Sequence, residues 1–152
     1  PPAAMQERIA AALVGDVALR MHEPAYNMVA YPFATRYQNS NQWLLEVVAE
    51  SISGRTPTTR AEVQRWLQGD GYRPTTLDIP ALTRLGGRAF RANIAFDDHP
   101  SERRWAGRID TVTVESLAAF FAGKGAARLR IAAKPGSSKG FTATLATRGE
   151  SP

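Results

Sequence analysis

Seven consecutive residues, Tyr37-Gln38-Asn39-Ser40-Asn41-Gln42-Trp43, set four carboxamides and a serine hydroxyl between two aromatic rings. Polar side chains at that density are costly to hold together unless they cap something, bind something or react with something. The apolar run that follows, Trp43 to Ile52, is broken only by Glu46, Glu50 and small residues, so it predicts a largely buried helix. Ser40 then stands where backbone N–H groups lack intrahelical acceptors. That position suits an N-cap, and it equally suits a nucleophile. Gln38, Asn39 and Gln42 could donate to an oxyanion, as carboxamides do in acyl-transfer sites. They could also satisfy loop backbone groups around the cap. With Asn41 and with Tyr37 as a pocket wall, they form the candidate substrate-binding set beside Ser40 as candidate nucleophile.

A serine nucleophile needs a base to take its proton. The chain has two histidines, His22 and His99. His99 is the candidate catalytic partner, because its neighbour Asp98 could orient the imidazole; the plainer expectation is an exposed turn histidine. His22, just ahead of Pro24, reads as a helix-end residue. The pair Asp97-Asp98 falls far short of a calcium loop. There is no cysteine, hence no disulfide or thiolate site. No metal and no cofactor are expected.

The elements that must position these groups read as follows. Pro2 to about Met21 predicts a helix that Gly15-Asp16 divides, stopped before Pro24. Ala25 to Thr35 reads as a short helix or packed loop. The motif helix runs from Ser40 to Ser53, with Gly54 beyond its end. Thr59 and Glu62 form a capping box for Arg60 to Gln68, closed by Gly69. Asp78 predicts another cap, for a helix through Leu85. Phe90 to Phe96 and Gly107 to Thr113 predict strands separated by a turn at Asp97-Asp98-His99-Pro100, with Arg103-Arg104 a solvated turn. Thr113 caps Val114 to Ala122. Ala127 to Ala133 is a third strand, and a weak strand or disorder follows from 141.

Helices first and strands later predict an α+β fold, with one domain over 1–133 and a flexible or weakly ordered tail over 134–152. The sheet is thin, and the chain starts at Pro1 without an initiator methionine or signal peptide. It therefore reads as the C-terminal portion of a longer domain or gene product. The net charge of +5 suggests nucleic acid, yet the arginines are dispersed and Arg103-Arg104 is the only adjacent pair. Clustering on one face is what a nucleic-acid footprint requires, so that class is set aside. No run reaches the roughly 18 apolar residues of a membrane helix. Oligomeric state is not readable.

Tyr26-Asn27, the stretch 37–43, Asp97 to Pro100 and Thr111 to Leu117 together resemble a family of uncharacterised bacterial proteins. The resemblance covers about residues 1 to 125. Family members carry a signal peptide and a longer N-terminal half with a Tyr-Ser-His segment. Their Asn-Cys-Asn-Gln-Trp motif is similar to the helix start of circularly permuted papain-like amidases and peptidases. The resemblance implies a permuted papain-like fold, with a buried motif helix on a small antiparallel sheet, in an exported or periplasmic protein. It implies acyl transfer at the amide or ester bonds of a small peptide or amide substrate. Ser40 falls at the nucleophilic cysteine, and Asn39, Asn41 and Gln42 match its flanks. The histidine partner would lie in the N-terminal half. Serine gains little from a helix N-terminus that would activate a thiolate, so an inactive relative is one expectation. The alternative is a binding module that uses the same pocket for a ligand or protein partner.

Overall fold

The computed structural model describes residues 3–54, 59–80 and 93–124, together with two strands at 129–132 and 142–145. The chain opens with α1 (Ala3–Val14) and α2 (Asp16–Arg20), parted at the extended Gly15. Both lean on α3 (Ser40–Ile52), the motif helix. Its inner face carries Leu45, Val47 and Ala49, each at most 1% exposed. It ends as expected: the Ser53 amide returns to the Ala49 carbonyl, and Gly54 takes a left-handed turn (φ +66°) that a Cβ would disfavour.

The box at Thr59 and Glu62 starts α4 (Arg60–Gly69), as the spacing predicts. Its closing residue is Gly71 (φ +83°), not Gly69. The Gly71 amide reaches the Gln68 carbonyl, and the Tyr72 amide reaches that of Leu67. This Schellman pair absorbs the last carbonyls of α4 and turns the chain into β1 (Thr75–Asp78). Asp78 thus ends a strand and caps no helix; the helix expected beyond it lies, from 81, outside the described residues.

Part of the expected strand Phe90–Phe96 also falls outside, at 90–92. The described remainder, 93–96, is not strand. The Asn27 side chain replaces a strand partner there, donating to the Ala95 carbonyl (2.8 Å) and accepting from its amide (3.1 Å). After the turn at Asp97 to Pro100 comes a helix the sequence reading did not foresee, α5 (Ser101–Trp105). Arg103-Arg104 belongs to it and is not a solvated turn. Next are β2 (Arg108–Thr111) and α6 (Val114–Gly123), the latter capped by Thr113.

Strands β1 and β2 pair antiparallel, from Thr75 opposite Thr111 to Asp78 opposite Arg108. A second antiparallel pair joins β3 (Leu129–Ala132) to β4 (Thr142–Leu145). The architecture is α+β, with helices built before and around short antiparallel strands. The main core gathers residues of α3, α4 and α6 around Met21 and Tyr72. The Tyr72 ring stands edge-on to Phe120 at 5.5 Å, a favoured quadrupolar arrangement. No helix is long and apolar enough to cross a membrane, among the described residues.

Candidate functional site

The start of α3 is fixed by its two asparagines. Asn39 is extended (φ −103°, ψ 169°), and its Oδ1 accepts from the Gln42 amide at 2.8 Å. The N-cap is therefore Asn39, and Ser40 is the first helical residue. The N-cap expectation for Ser40 fails because the extended backbone falls one residue earlier. The Asn39 Nδ2 donates to the Met28 carbonyl (3.2 Å) and to Thr111 Oγ1 (3.1 Å), tying the helix start to the loop before it and to the end of β2. Asn41 Nδ2 donates to the Val112 carbonyl at 3.3 Å. The intervening Ser40 is exposed, and its hydroxyl has no hydrogen-bond partner among the described residues.

Gln38 and Gln42 turn inward. Gln38 is 3% exposed; its Nε2 lies 2.7 Å from both the Met21 carbonyl and Glu46 Oε2, while its Oε1 accepts from the Glu23 amide. Gln42, fully buried, donates to Glu46 Oε1 at 3.2 Å and leaves its own Oε1 without a partner among the described residues. Glu46 is the hub. Its buried carboxylate accepts five hydrogen bonds: one each from Gln38, Gln42 and Gln64, and two from Arg60. Arg60 grips it with Nε at 2.7 Å and Nη2 at 3.2 Å, the planar fork that suits a carboxylate. Its Nη1 and Nη2 also donate to the carbonyls of Thr35 (2.8 Å) and Tyr37 (3.1 Å). Tyr37 is half-buried, with the Arg36 guanidinium 5.1 Å from its ring centre.

His99 is buried, against the expectation of an exposed turn residue. Its Nδ1 lies 2.9 Å from Asp98 Oδ1 and its Nε2 lies 2.9 Å from the Asp110 carbonyl. Asp98 does orient the ring, and its other oxygen accepts from the Tyr31 amide at 2.8 Å. Both ring nitrogens thus lie within hydrogen-bond distance of groups other than Ser40. The Asp110 carboxylate pairs with Arg103, which raises the guanidinium pKa, chiefly through that hydrogen bond. Tyr31, packed tilted against the imidazole, has its pKa raised, first by burial and then by the Asp110 charge. Asp97 pairs with Arg36 at 3.0 Å. No cluster of three or more His, Cys, Asp or Glu able to hold a metal occurs among the described residues.

Residues 1–121 match the family described as "Uncharacterized protein conserved in bacteria (DUF2145)". The chain belongs to that family. No curated protein and no solved structure matches the DUF2145 chain. Within this DUF2145 fold, the stretch Tyr37 to Gln42 is divided: Gln38, Asn39 and Gln42 are buried, Tyr37 and Asn41 are half-buried, and Ser40 faces outward. The sequence reading missed Glu46, Arg60 and Gln64 as the groups that hold that stretch. The signal available was the i, i+4 spacing of Gln42 and Glu46, which puts both on one helix face.

Proposed function

We propose that the domain is an acyl-transfer scaffold of papain-like, circularly permuted ancestry, acting on amide or ester bonds with residue 40 in the nucleophile position. One observation supports this reading above others. Three flanking carboxamides are buried and the fourth is tied to Val112, just past β2, while the side chain of residue 40 alone stands exposed at the start of a buried 13-residue helix. The Ser40 and Asn41 amides precede the first intrahelical bond, the Trp43 amide to the Asn39 carbonyl, and among the described residues neither has a backbone acceptor, which suits them to stabilise an anion. The substrate class in this reading is a small peptide or amide, met in an exported or periplasmic setting.

One observation favours a second reading. His99 is buried, with its nitrogens held by Asp98 and the Asp110 carbonyl, so this histidine is not presented to Ser40 as a base. A serine hydroxyl without a base is a poor nucleophile. In this second reading the motif surface binds a ligand or protein partner without turnover.

Ser40→Cys separates the two, because the chain has no other cysteine. The expected result is an alkylation profile whose midpoint lies about one unit or more below the free-thiol value near 8.5. Labelling by an acylating probe should accompany it, far faster than in the serine form. An ordinary midpoint, with no labelling above that of an unfolded cysteine peptide, would sink the acyl-transfer reading.

A further inference from the structure

A groove of about 470 Å³ opens between residues 33–36 and α4, and no residue of the 37–43 motif lines it. Its lining includes Phe33, Arg36, Gln64, Arg65, Gln68 and Asp98. The charged groups still open there are guanidinium groups. The carbonyls of Ala34 and Thr35 already accept from Gln64 (3.1 Å) and Arg60 (2.8 Å). The Asp98 carboxylate, 1% exposed, has one oxygen against His99 and the other against the Tyr31 amide. Each of those acceptors is thus already engaged.

The donors are not. Arg65 forms no ion pair among the described residues, and its hydrogen bond there, from Nε to the Ala61 carbonyl, leaves both Nη groups open. Arg36 meets Asp97 through Nη1 alone, with its side chain 59% exposed and held over the Tyr37 ring. Gln68 is exposed on the same wall. Phe33 supplies a firm apolar surface, fixed edge-on to Tyr31 at 5.7 Å and to Tyr72 at 6.2 Å.

We infer that this groove binds a small organic carboxylate with an apolar body. Arg65, helped by Arg36 and Gln68, takes the carboxylate, and the Phe33 wall takes the body. A guanidinium fork matches a carboxylate in geometry and charge. The volume falls in the range of small-molecule sites. The net charge of +5 favours approach of an anion over a cation. The inference does not depend on the chemistry of residue 40.

N-acetyl-L-phenylalanine is the probe, titrated at low salt while backbone and arginine Nε–H resonances are followed. Shifts should concentrate at 33–36 and 61–68. The probe's amide, which lacks the charge, should bind about tenfold more weakly. N-acetylglycine, which lacks the body, should also bind more weakly. Arg65→Gln should weaken the acid by about threefold, as expected for an exposed charge. Gln68→Glu, which adds a repelling charge on the same wall, should weaken it too and serves if Arg65→Gln is unstable. Equal binding of acid and amide would overturn the inference. So would shifts outside the groove, no shifts at all, or variants that bind like the parent.

Discussion

Replacing Glu46 by glutamine keeps the shape of the side chain and removes its charge. In the parent, this fully buried carboxylate accepts five N–H hydrogen bonds, two of them from an Arg60 side chain only 8% exposed. A glutamine offers one acceptor oxygen and turns an NH₂ group toward donors, so several N–H groups lose their partner at once. Arg60 is then left in the interior, with Glu23 at 3.9 Å as its next carboxylate. Removing one member of a buried pair costs about 3–5 kcal/mol. The surviving amide oxygen retains part of the network, so Glu46→Gln should lose about 3 kcal/mol, a large share of a total near 5–15 kcal/mol. For a chain of this size that corresponds to a Tm lower by about 6–12 °C. Urea unfolding followed by circular dichroism measures it. Adding Arg60→Met should recover at least about 1 kcal/mol relative to the sum of the single changes, because the stranded charge is then gone. A Glu46→Gln protein within about 0.5 kcal/mol of the parent, or a strictly additive double variant, would refute the assignment of this carboxylate as the hub.

Two further outcomes follow from the geometry. Asn39→Ala should destabilise by about 2 kcal/mol in urea unfolding, since it removes a cap and two further hydrogen bonds, whereas Ser40→Ala at the exposed neighbour should stay within about 0.5 kcal/mol; the reverse order would restore Ser40 as the cap. Burial pushes the Tyr72 phenol up to about 12, partly countered by its bond to Ser116. The neutral phenol is the favoured folded form, so its stabilisation is complete below pH 10 and drains away between 10 and about 12. Absorbance titration should show a last phenolate, later than the also-raised Tyr31, that Tyr72→Phe removes; a Tyr72 titrating with exposed tyrosines would contradict the packing.

The features legible in the chain were those decided within a few residues. Thr59 with Glu62, Thr113 ahead of α6 and Gly54 after α3 each satisfy backbone groups of their own helix end, so spacing alone carries the information. The turn at Asp97 to Pro100 was legible for the same reason. Residues 93–96 were misread because their alternation is strand-like, while their actual partner is the Asn27 side chain, 68 residues away. Glu46 was read as part of a polar face, since nothing local announces that Arg60 and Gln64 will arrive to neutralise it. At the site, the exposure of position 40 was foreseeable from the helix start. The engagement of His99 by the Asp110 carbonyl was not, because it depends on where β2 comes to rest.

The hub also makes the burial of its parts mutually dependent. Residues 21–23 and 35–38 join α3 and α4 in one network, through Gln38 on Glu46 and through Arg60 on the Thr35 and Tyr37 carbonyls, and burying Glu46 without Arg60 would strand a charge. They assemble together or remain wet together. Position 40 is therefore held from two sides: its asparagine neighbours tie it to Met28, Thr111 and Val112, and further along, Glu46 ties the same helix to Arg60 and Gln64 of α4.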